Sequence, residues 1–287
     1  MKSITSAMQL CSTIAEMRSA VGALKAKGLK LGFVPTMGAL HQGHFSLVRA
    51  AKKTCDAVAV SIFVNPTQFG PNEDFSRYPR TFDRDRELLE QEGVDLLFAP
   101  ATDEMYPAGA TTYVTVEGLS EKLDGKSRPG HFRGVSTVVS KLFHIIEPNV
   151  AFFGQKDAAQ VAVIRRMVRD LNLPVEIAVC PIVREPDGLA MSSRNRYLDP
   201  EQRKHALVLS QSLKSVKKLF AEGERNAPAL ISIGRSCFEA CPNVRLDYFE
   251  IVDPDTLDPV ETLKQPALVA VAAFVGTTRL IDNVVLE

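Results

Sequence analysis

The sequence predicts an α/β protein: a Rossmann-like, mostly parallel sheet with helices on both faces, plus a smaller α+β domain at the C-terminal end. Strand-like apolar runs at 31–35, 57–64, 95–99, 149–153 and 175–183 alternate with helical patterns at 44–54, 82–92, 134–146 and 156–171. That rhythm calls for βαβ units. From about residue 184 the texture changes to a long helix (200–221), a second one (226–240) and short strands near 245–252, 267–276 and 279–286. A chain of 287 residues is long enough to bury one full core and a second, smaller one. The expected division is therefore 1–183 and 184–287.

The elements follow from residue patterns in chain order. Near the N-terminus, Met8, Leu10, Ile14, Met17 and Val21 share a helical stripe beside Glu16 and Arg18, which predicts a surface helix rather than a signal peptide. Leu31 to Val34 reads as a buried strand that Pro35 is expected to end, because proline cannot pair within a central strand. A helix is expected from about Gly43: Leu47, Val48, Ala50 and Ala51 fall on one face, and Arg49, Lys52 and Lys53 crowd toward its C-terminal end. The run Asp83 to Glu87 reads as the solvated face of the next helix, with Asp85 as an indirect Mg²⁺ partner the lesser alternative. The segment from Asp124 to Gly134 is basic and glycine-rich, and reads as a loop that either connects at the surface or touches substrate.

Composition narrows the function classes. Lys plus Arg total 34 and Asp plus Glu total 34, so no global basic field draws the chain to nucleic acid or to an anionic membrane. The longest apolar stretches, Ala57 to Val64 and Ala267 to Val275, fall far short of the roughly 18 residues that cross a bilayer. Cysteines at 11, 55, 180, 237 and 241 form no CxxC pair and leave an odd count, which points to reduced thiols and a cytoplasmic setting. Cys237 and Cys241 share a helical face and read as packing residues.

The stretch Met37, Gly38, Ala39, Leu40, His41, Gln42, Gly43 and His44 carries the strongest chemical signal. It places two imidazoles around a glycine between a strand and a helix. A helix N-terminus presents free N–H groups and the positive end of its dipole, and Gly43 lets a backbone come close to an anion. Three readings stay open on these residues alone: phosphate binding, helix capping, and a metal site. The last lacks the third and fourth ligands that zinc wants.

In parallel sheets ligands gather at the carboxyl ends of strands. The segments after the strands, Asn65 to Gly70, Gly154 to Asp157, and Arg184 to Asn195, are accordingly expected to meet on one rim. Lys156 and Arg194 suit the neutralisation of charge on a transferring phosphoryl group, although Arg194 equally suits a loop anchor. Lys156 stands near a helix start, where a cation opposes the dipole unless an anion is present. Asp157 reads as a helix-start acid or a ribose acceptor, and Gln68 and Gln160 as neutral amides able to grip a carboxylate or a hydroxyl. Neither a Walker A lysine loop nor a GxGxxG fingerprint occurs. What remains is attack on an α-phosphate with pyrophosphate leaving.

Taken together, Val34 to His44, Phe63 to Phe69, Arg128 to Gly134, Phe153 to Asp157 and Met191 to Arg194 resemble the pantothenate synthetase family, the pantoate and β-alanine ligases of the wider HIGH/KMSKS nucleotidyltransferase group. The resemblance covers nearly the whole chain. It implies joining of pantoate to β-alanine with ATP and Mg²⁺, through a pantoyl adenylate, with release of AMP and pyrophosphate as the last step of pantothenate biosynthesis. It implies that Met37 to His44 line the ATP phosphates, with His44 donating to the transferring phosphate and His41, Lys156 and Arg194 completing the catalytic set. Gly154, Gln155, Lys156 and Asp157 would hold ribose and phosphate, Val183 the adenine, and Met191, Ser192, Ser193 and Arg194 a mobile phosphate loop. Gln68 and Gln160 would bind pantoate. No metal-ligating residue is assigned, and a cytoplasmic homodimer is implied. Gln155 stands where many relatives carry glutamate. Met191 to Asn195 lacks the leading lysine of the KMSKS loop and has arginine in place of its second lysine, which weakens a tRNA synthetase reading. Two rivals remain, an adenylyl or cytidylyl transferase and a nucleotide-binding sensor without turnover.

Overall fold

A computed structural model describes residues 7–71, 73–264 and 266–287. The chain divides into two compact units, one formed by 1–116, 130–154 and 163–180, the other by 117–129, 155–162 and 181–287. The last boundary thus falls at 180/181, three residues before the expected 183/184, and two short segments of the expected region 1–183 join the second unit.

The first unit holds β1 (Gln9–Cys11), α1 (Ile14–Lys25), β2 (Leu31–Thr36), α2 (Gln42–Thr54), β3 (Ala57–Ile62), α3 (Phe82–Gln91), β4 (Leu96–Phe98) and α4 (Thr102–Met105). After α5 (Asp124–Ser127), which belongs to the other unit, come α6 (His131–Ile146), β5 (Val150–Gly154), α7 (Ala158–Asp170), of which 158–162 count with the other unit, and β6 (Glu176–Cys180). Its six strands run parallel in the order β1-β4-β3-β2-β5-β6. Successive residues of β2 face opposite sides of the sheet. Val34 packs with Leu47, Val48 and Ala51 of α2, whereas Phe33 meets Phe143 of α6 edge to face at 6.5 Å. Helices therefore cover both faces, as the period-two alternation within a doubly buried strand demands.

Two expectations are corrected here. The stripe from Met8 onward is not one helix: Gln9–Cys11 is a strand paired in parallel with β4, and the helix starts only at Ile14. Thr13 sets that start through a capping box, with Glu16 N donating to Thr13 Oγ1 at 3.2 Å and Thr13 N donating to Glu16 Oε2 at 3.1 Å. Pro35 does not end β2, which runs on to Thr36 beside β3. Pairing of β2 with β5 stops at Phe33, so that side of the ladder asks nothing of the missing proline N–H.

The second unit holds α5, α8 (Pro200–Ala221), α9 (Ala227–Glu239) and an antiparallel sheet β7 (Val244–Val252), β8 (Ala267–Val275) and β9 (Thr278–Leu286), in that order. Strand β8 is apolar along nearly its whole length because its residues are almost all buried. Segment 117–129 joins this unit through long-range ionic bonds. Arg279 Nη1 donates to Asp124 Oδ1 at 2.7 Å and Nη2 to Asp247 Oδ2 at 2.8 Å, while Lys122 Nζ reaches Asp258 Oδ1 at 2.7 Å. Burial, followed by the nearby Asp124 carboxylate, pushes the Tyr248 phenol well above its ordinary value. The expected loop 124–134 is in part helical, as α5 and the first turn of α6.

Cys11, Cys55 and Cys180 are buried, Cys237 and Cys241 are partly so, and all five are free thiols. No helix among the described residues is long and apolar enough to cross a membrane.

Candidate active site

The sheet order reverses between β2 and β5: the chain leaves β2 toward β3 on one side and β5 toward β6 on the other. In open parallel sheets that switch point, at the carboxyl ends of the strands, is where a crevice forms. Residues Met37 to His41 make the turn there. Gly38 (φ 82°) and Ala39 (φ 52°) both take the left-handed conformation, which costs a residue with a Cβ unless its surroundings hold it.

Asp85 does the holding. Its carboxylate is 1% exposed and accepts from Ala39 N at 2.7 Å, Leu40 N at 2.9 Å and Thr81 Oγ1 at 3.1 Å. This corrects the reading of Asp83 to Glu87 as a uniformly solvated face: Asp83, Arg84, Arg86 and Glu87 are exposed, but Asp85 points inward and clamps the turn. A cleft of about 260 Å³ lies beside the clamp, lined by Met37, Gly38, Phe63, Phe82 and Asp85 among others. Asp85→Asn leaves one oxygen to accept and turns an amide N–H₂ toward a backbone donor. The variant is expected to lose roughly 1–3 kcal/mol of stability, read as a lower urea midpoint at unchanged m-value. A midpoint equal to that of the parent protein would show the clamp to be idle.

His41 is the N-cap of α2, and both imidazoles take part in a capping box. Gly43 N donates to His41 Nδ1 at 3.1 Å and His41 N donates to His44 Nδ1 at 3.3 Å, with the ring centroids 4.1 Å apart. A nitrogen that accepts from a backbone N–H carries no proton, so each ring bears its hydrogen on Nε2. Capping and phosphate binding thus use different atoms of the same ring. The cap fixes the tautomer, and the tautomer makes Nε2 a donor at the positive end of a helix of 13 residues.

Gln68 is held by residues that the sequence reading left without a role. Asn65, 1% exposed, donates from Nδ2 to Gln68 Oε1 at 3.0 Å and to Gly134 O at 3.1 Å. Its Oδ1 accepts from Thr67 Oγ1 and Tyr106 Oη, both at 2.9 Å. Burial raises the Tyr106 phenol above its usual value, keeping it a donor. With Oε1 engaged, the Gln68 amide presents Nε2, which lies 3.2 Å from Met37 Sδ. Gly134 must be glycine, since a Cβ there would run into the Thr67 carbonyl and stand 2.6 Å from Gln68 Cα. His131 Nδ1 bonds Gln68 O at 2.8 Å, so the start of α6 braces this turn.

The remaining candidates lie in the second unit. Gln155 to Asp157 form a 3-10 turn ahead of α7, and Lys156 Nζ stands 3.5 Å from Asp157 Oδ1. Lys156, Ser192, Asn195 and Asp282 line one small pocket. Residues 183–191 fold back on themselves: Met191 N donates to Val183 O at 3.0 Å and Glu185 N to Leu189 O at 2.8 Å. The expected serine-arginine loop is a 3-10 turn, Ser193–Tyr197, capped by Ser192 Oγ accepting from Arg194 N at 3.3 Å. Asn195 Nδ2 ties it to Glu185 Oε1 at 2.8 Å. The Arg203 guanidinium, beside Glu185, holds that carboxyl below its ordinary value.

The structure thus gathers the expected residues in two groups. Met37 to His44, Gln68 and Gly154 belong to the first unit; Gln155, Lys156, Asp157, Gln160, Val183 and Met191 to Arg194 belong to the second. Among the described residues no group of three or more His, Cys, Asp or Glu is arranged to hold a metal. Asn65, Tyr106 and Asn283 carry no role in the sequence reading, and Asp85 only that of a lesser Mg²⁺ alternative. Asn65 lay within a recognised motif and was legible there; the others act across 40 residues or more and leave no local pattern.

A parallel sheet with its order reversed at β2/β5, and a glycine-bearing turn feeding a helix N-terminus at that point, defines a protein of the nucleotide-binding α/β class. The sequence profile of the family described as pantoate-beta-alanine ligase matches residues 9–285. The chain belongs to the pantoate-β-alanine ligase family, a family of enzymes. It is 61% identical to the pantothenate synthetase of Acidobacterium capsulatum over 97% of each chain. The crystal structure of the pantothenate synthetase from Thermus thermophilus superposes with a TM-score of 0.92 at 48% identity, covering 96% of this chain and 99% of that one. The pantoate-beta-alanine ligase of Francisella tularensis, complexed with beta-gamma ATP and beta-alanine, matches at TM-score 0.79 and 36% identity over 97% of both.

Proposed function

We propose that the chain makes pantothenate by joining pantoate to β-alanine through an enzyme-bound pantoyl adenylate. A pantoate carboxylate oxygen attacks the α-phosphorus of ATP and pyrophosphate leaves. The amine of β-alanine then attacks the acyl carbon of the mixed anhydride, AMP leaves, and the amine gives up a proton. The order has a chemical reason: a carboxylate oxygen is a poor leaving group until it is phosphorylated. The attacking amine, with a pKa near a lysine's ~10.4, must lose its proton first. Enclosure protects the anhydride from water.

The observation that supports this reading most is the Nε2–H tautomer imposed on His41 and His44 at the start of α2, within a chain matched to the family from residue 9 to 285. In this reading Met37 to His44 receive the phosphates, and His44 donates to the transferring one. Gly154 to Asp157 hold ribose and phosphate, Val183 the adenine, and Met191 to Arg194 the leaving pyrophosphate. Gln68 and Gln160 bind pantoate; an amide fixed to present N–H suits a carboxylate. Mg²⁺ would accompany ATP as part of the substrate and supply positive charge to the triphosphate; no residue of this chain is assigned to it. The step completes pantothenate biosynthesis in a cytoplasmic homodimer.

Exchange of labelled pyrophosphate into ATP tests the proposal. It should require pantoate but not β-alanine, and free AMP should accumulate only once β-alanine is added. Release of a nucleotide conjugate as the end product would mark a nucleotidyl transferase, and ATP binding with no exchange would mark a sensor.

A further inference from the structure

Strand β9 closes the second unit's sheet, and two of its side chains, those of Asp282 and Asn283, bond turns that carry candidate site residues. Asn283 is 3% exposed. Its Nδ2 donates to Gln155 O and to Lys156 O, both at 2.9 Å, and its Oδ1 accepts from Gln155 Nε2 at 3.1 Å. Two carbonyl oxygens can only accept, which fixes the orientation of the amide. The neighbouring Asp282 accepts from Asn283 N at 2.8 Å and from Arg184 Nη1 and Nη2 at 2.6 and 2.9 Å. Adjacent residues of one strand thereby hold two separate turns, 155–157 and the segment that opens at Arg184.

We propose that Asn283 is a positioning residue: its carboxamide grips the main chain of Gln155 and Lys156 and so sets where the Lys156 ammonium is presented. The grip falls on the main-chain carbonyls on both sides of the Lys156 N–Cα, so a shift of this turn carries the ammonium with it. A 3-10 turn of three residues has little rigidity of its own. Four flexible side-chain bonds separate the ammonium from the backbone, and a fixed anchor at the backbone end reduces the volume the charge explores. Displacement of a charge-stabilising group by about 1 Å can cost up to about 10²-fold in rate. The proposal rests on the role given to Lys156 above.

Asn283→Asp keeps the shape, discards both donated bonds and sets a carboxylate oxygen against two carbonyls. The measurement is pantoate-dependent pyrophosphate exchange on the full chain, for the parent, Asn283→Asp, Lys156→Ala and the double variant. The expected result is a fall in kcat on the order of 10-fold for Asn283→Asp, with the KM for pantoate within about twofold of the parent. In the Lys156→Ala background the same substitution should add nothing, because the group it positions is gone. An equal further loss in that background would assign Asn283 a purely structural role and overturn the proposal. So would exchange by Asn283→Asp within about threefold of the parent while Lys156→Ala is crippled. Near-normal exchange by Lys156→Ala would overturn the role of Lys156 itself and the proposal with it. Should the aspartate variant lose its fold, Asn283→Ala, which adds no charge, gives the same comparison.

Discussion

His44→Ala is expected to lower turnover by roughly 10²–10³-fold, the cost of removing one preorganised donor from a transferring phosphoryl group. The imidazole has two jobs, however, and alanine abolishes both: Nδ1 accepts from His41 N in the capping box, and Nε2 presents the donor. His44→Gln separates them. Glutamine at the third helical position is a standard partner in such a box, so it should keep the unfolding midpoint close to that of the parent protein while turnover stays low. Full activity in His44→Gln would reduce the histidine to a cap. Equal losses of stability and turnover in both variants would point the same way.

Lys156→Ala should produce a loss of similar size, roughly 10²–10³-fold, but with the opposite signature in stability. Its side chain is 20% exposed and lies ahead of α7, where a cation opposes the helix dipole. Asp157 Oδ1, 3.5 Å away on a half-exposed side chain, offsets that only in part. A cation held there without bound anion is a local liability, so its removal should leave the protein no less stable, or slightly more so. Binding of a polyphosphate should reverse the sign: the parent protein gains thermal stability on adding ATP, and Lys156→Ala gains less. A destabilised variant with normal exchange would identify Lys156 as a structural residue.

Much of the fold was legible because it rests on local periodicity. Expected strands at 57–64, 149–153 and 267–276 correspond to Ala57–Ile62, Val150–Gly154 and Ala267–Val275, and the helix expected at 200–221 is Pro200–Ala221. Failures occurred where local and tertiary preferences diverge. Met8 and Leu10 fit a helical stripe, but Thr13 caps the helix below them and β4 offers an edge to pair with. Pro35 is a poor strand residue by rule, and is tolerated because one neighbouring strand has already withdrawn.

The same division runs through the site. Met37 to His44 could be singled out because glycine, histidine and the flanking apolar runs lie within one short stretch. The clamp role of Asp85, named in the sequence only as a lesser Mg²⁺ alternative, could not be read, because in an alternating run of acids and arginines nothing local marks the carboxylate that turns inward. Asn283 was hidden for a stronger reason, lying 128 residues from the Gln155 side chain it bonds.

By itself the sequence determined the class of fold, the place of most of its helices and strands, and the stretch of histidine and glycine suited to phosphate, since all three depend on the order of near neighbours. Only the tertiary structure decided which acid clamps the turn and which asparagine bonds the main chain of Gln155 and Lys156. Those depend on groups brought together by the burial of distant segments, and burial is a property of the whole packed chain.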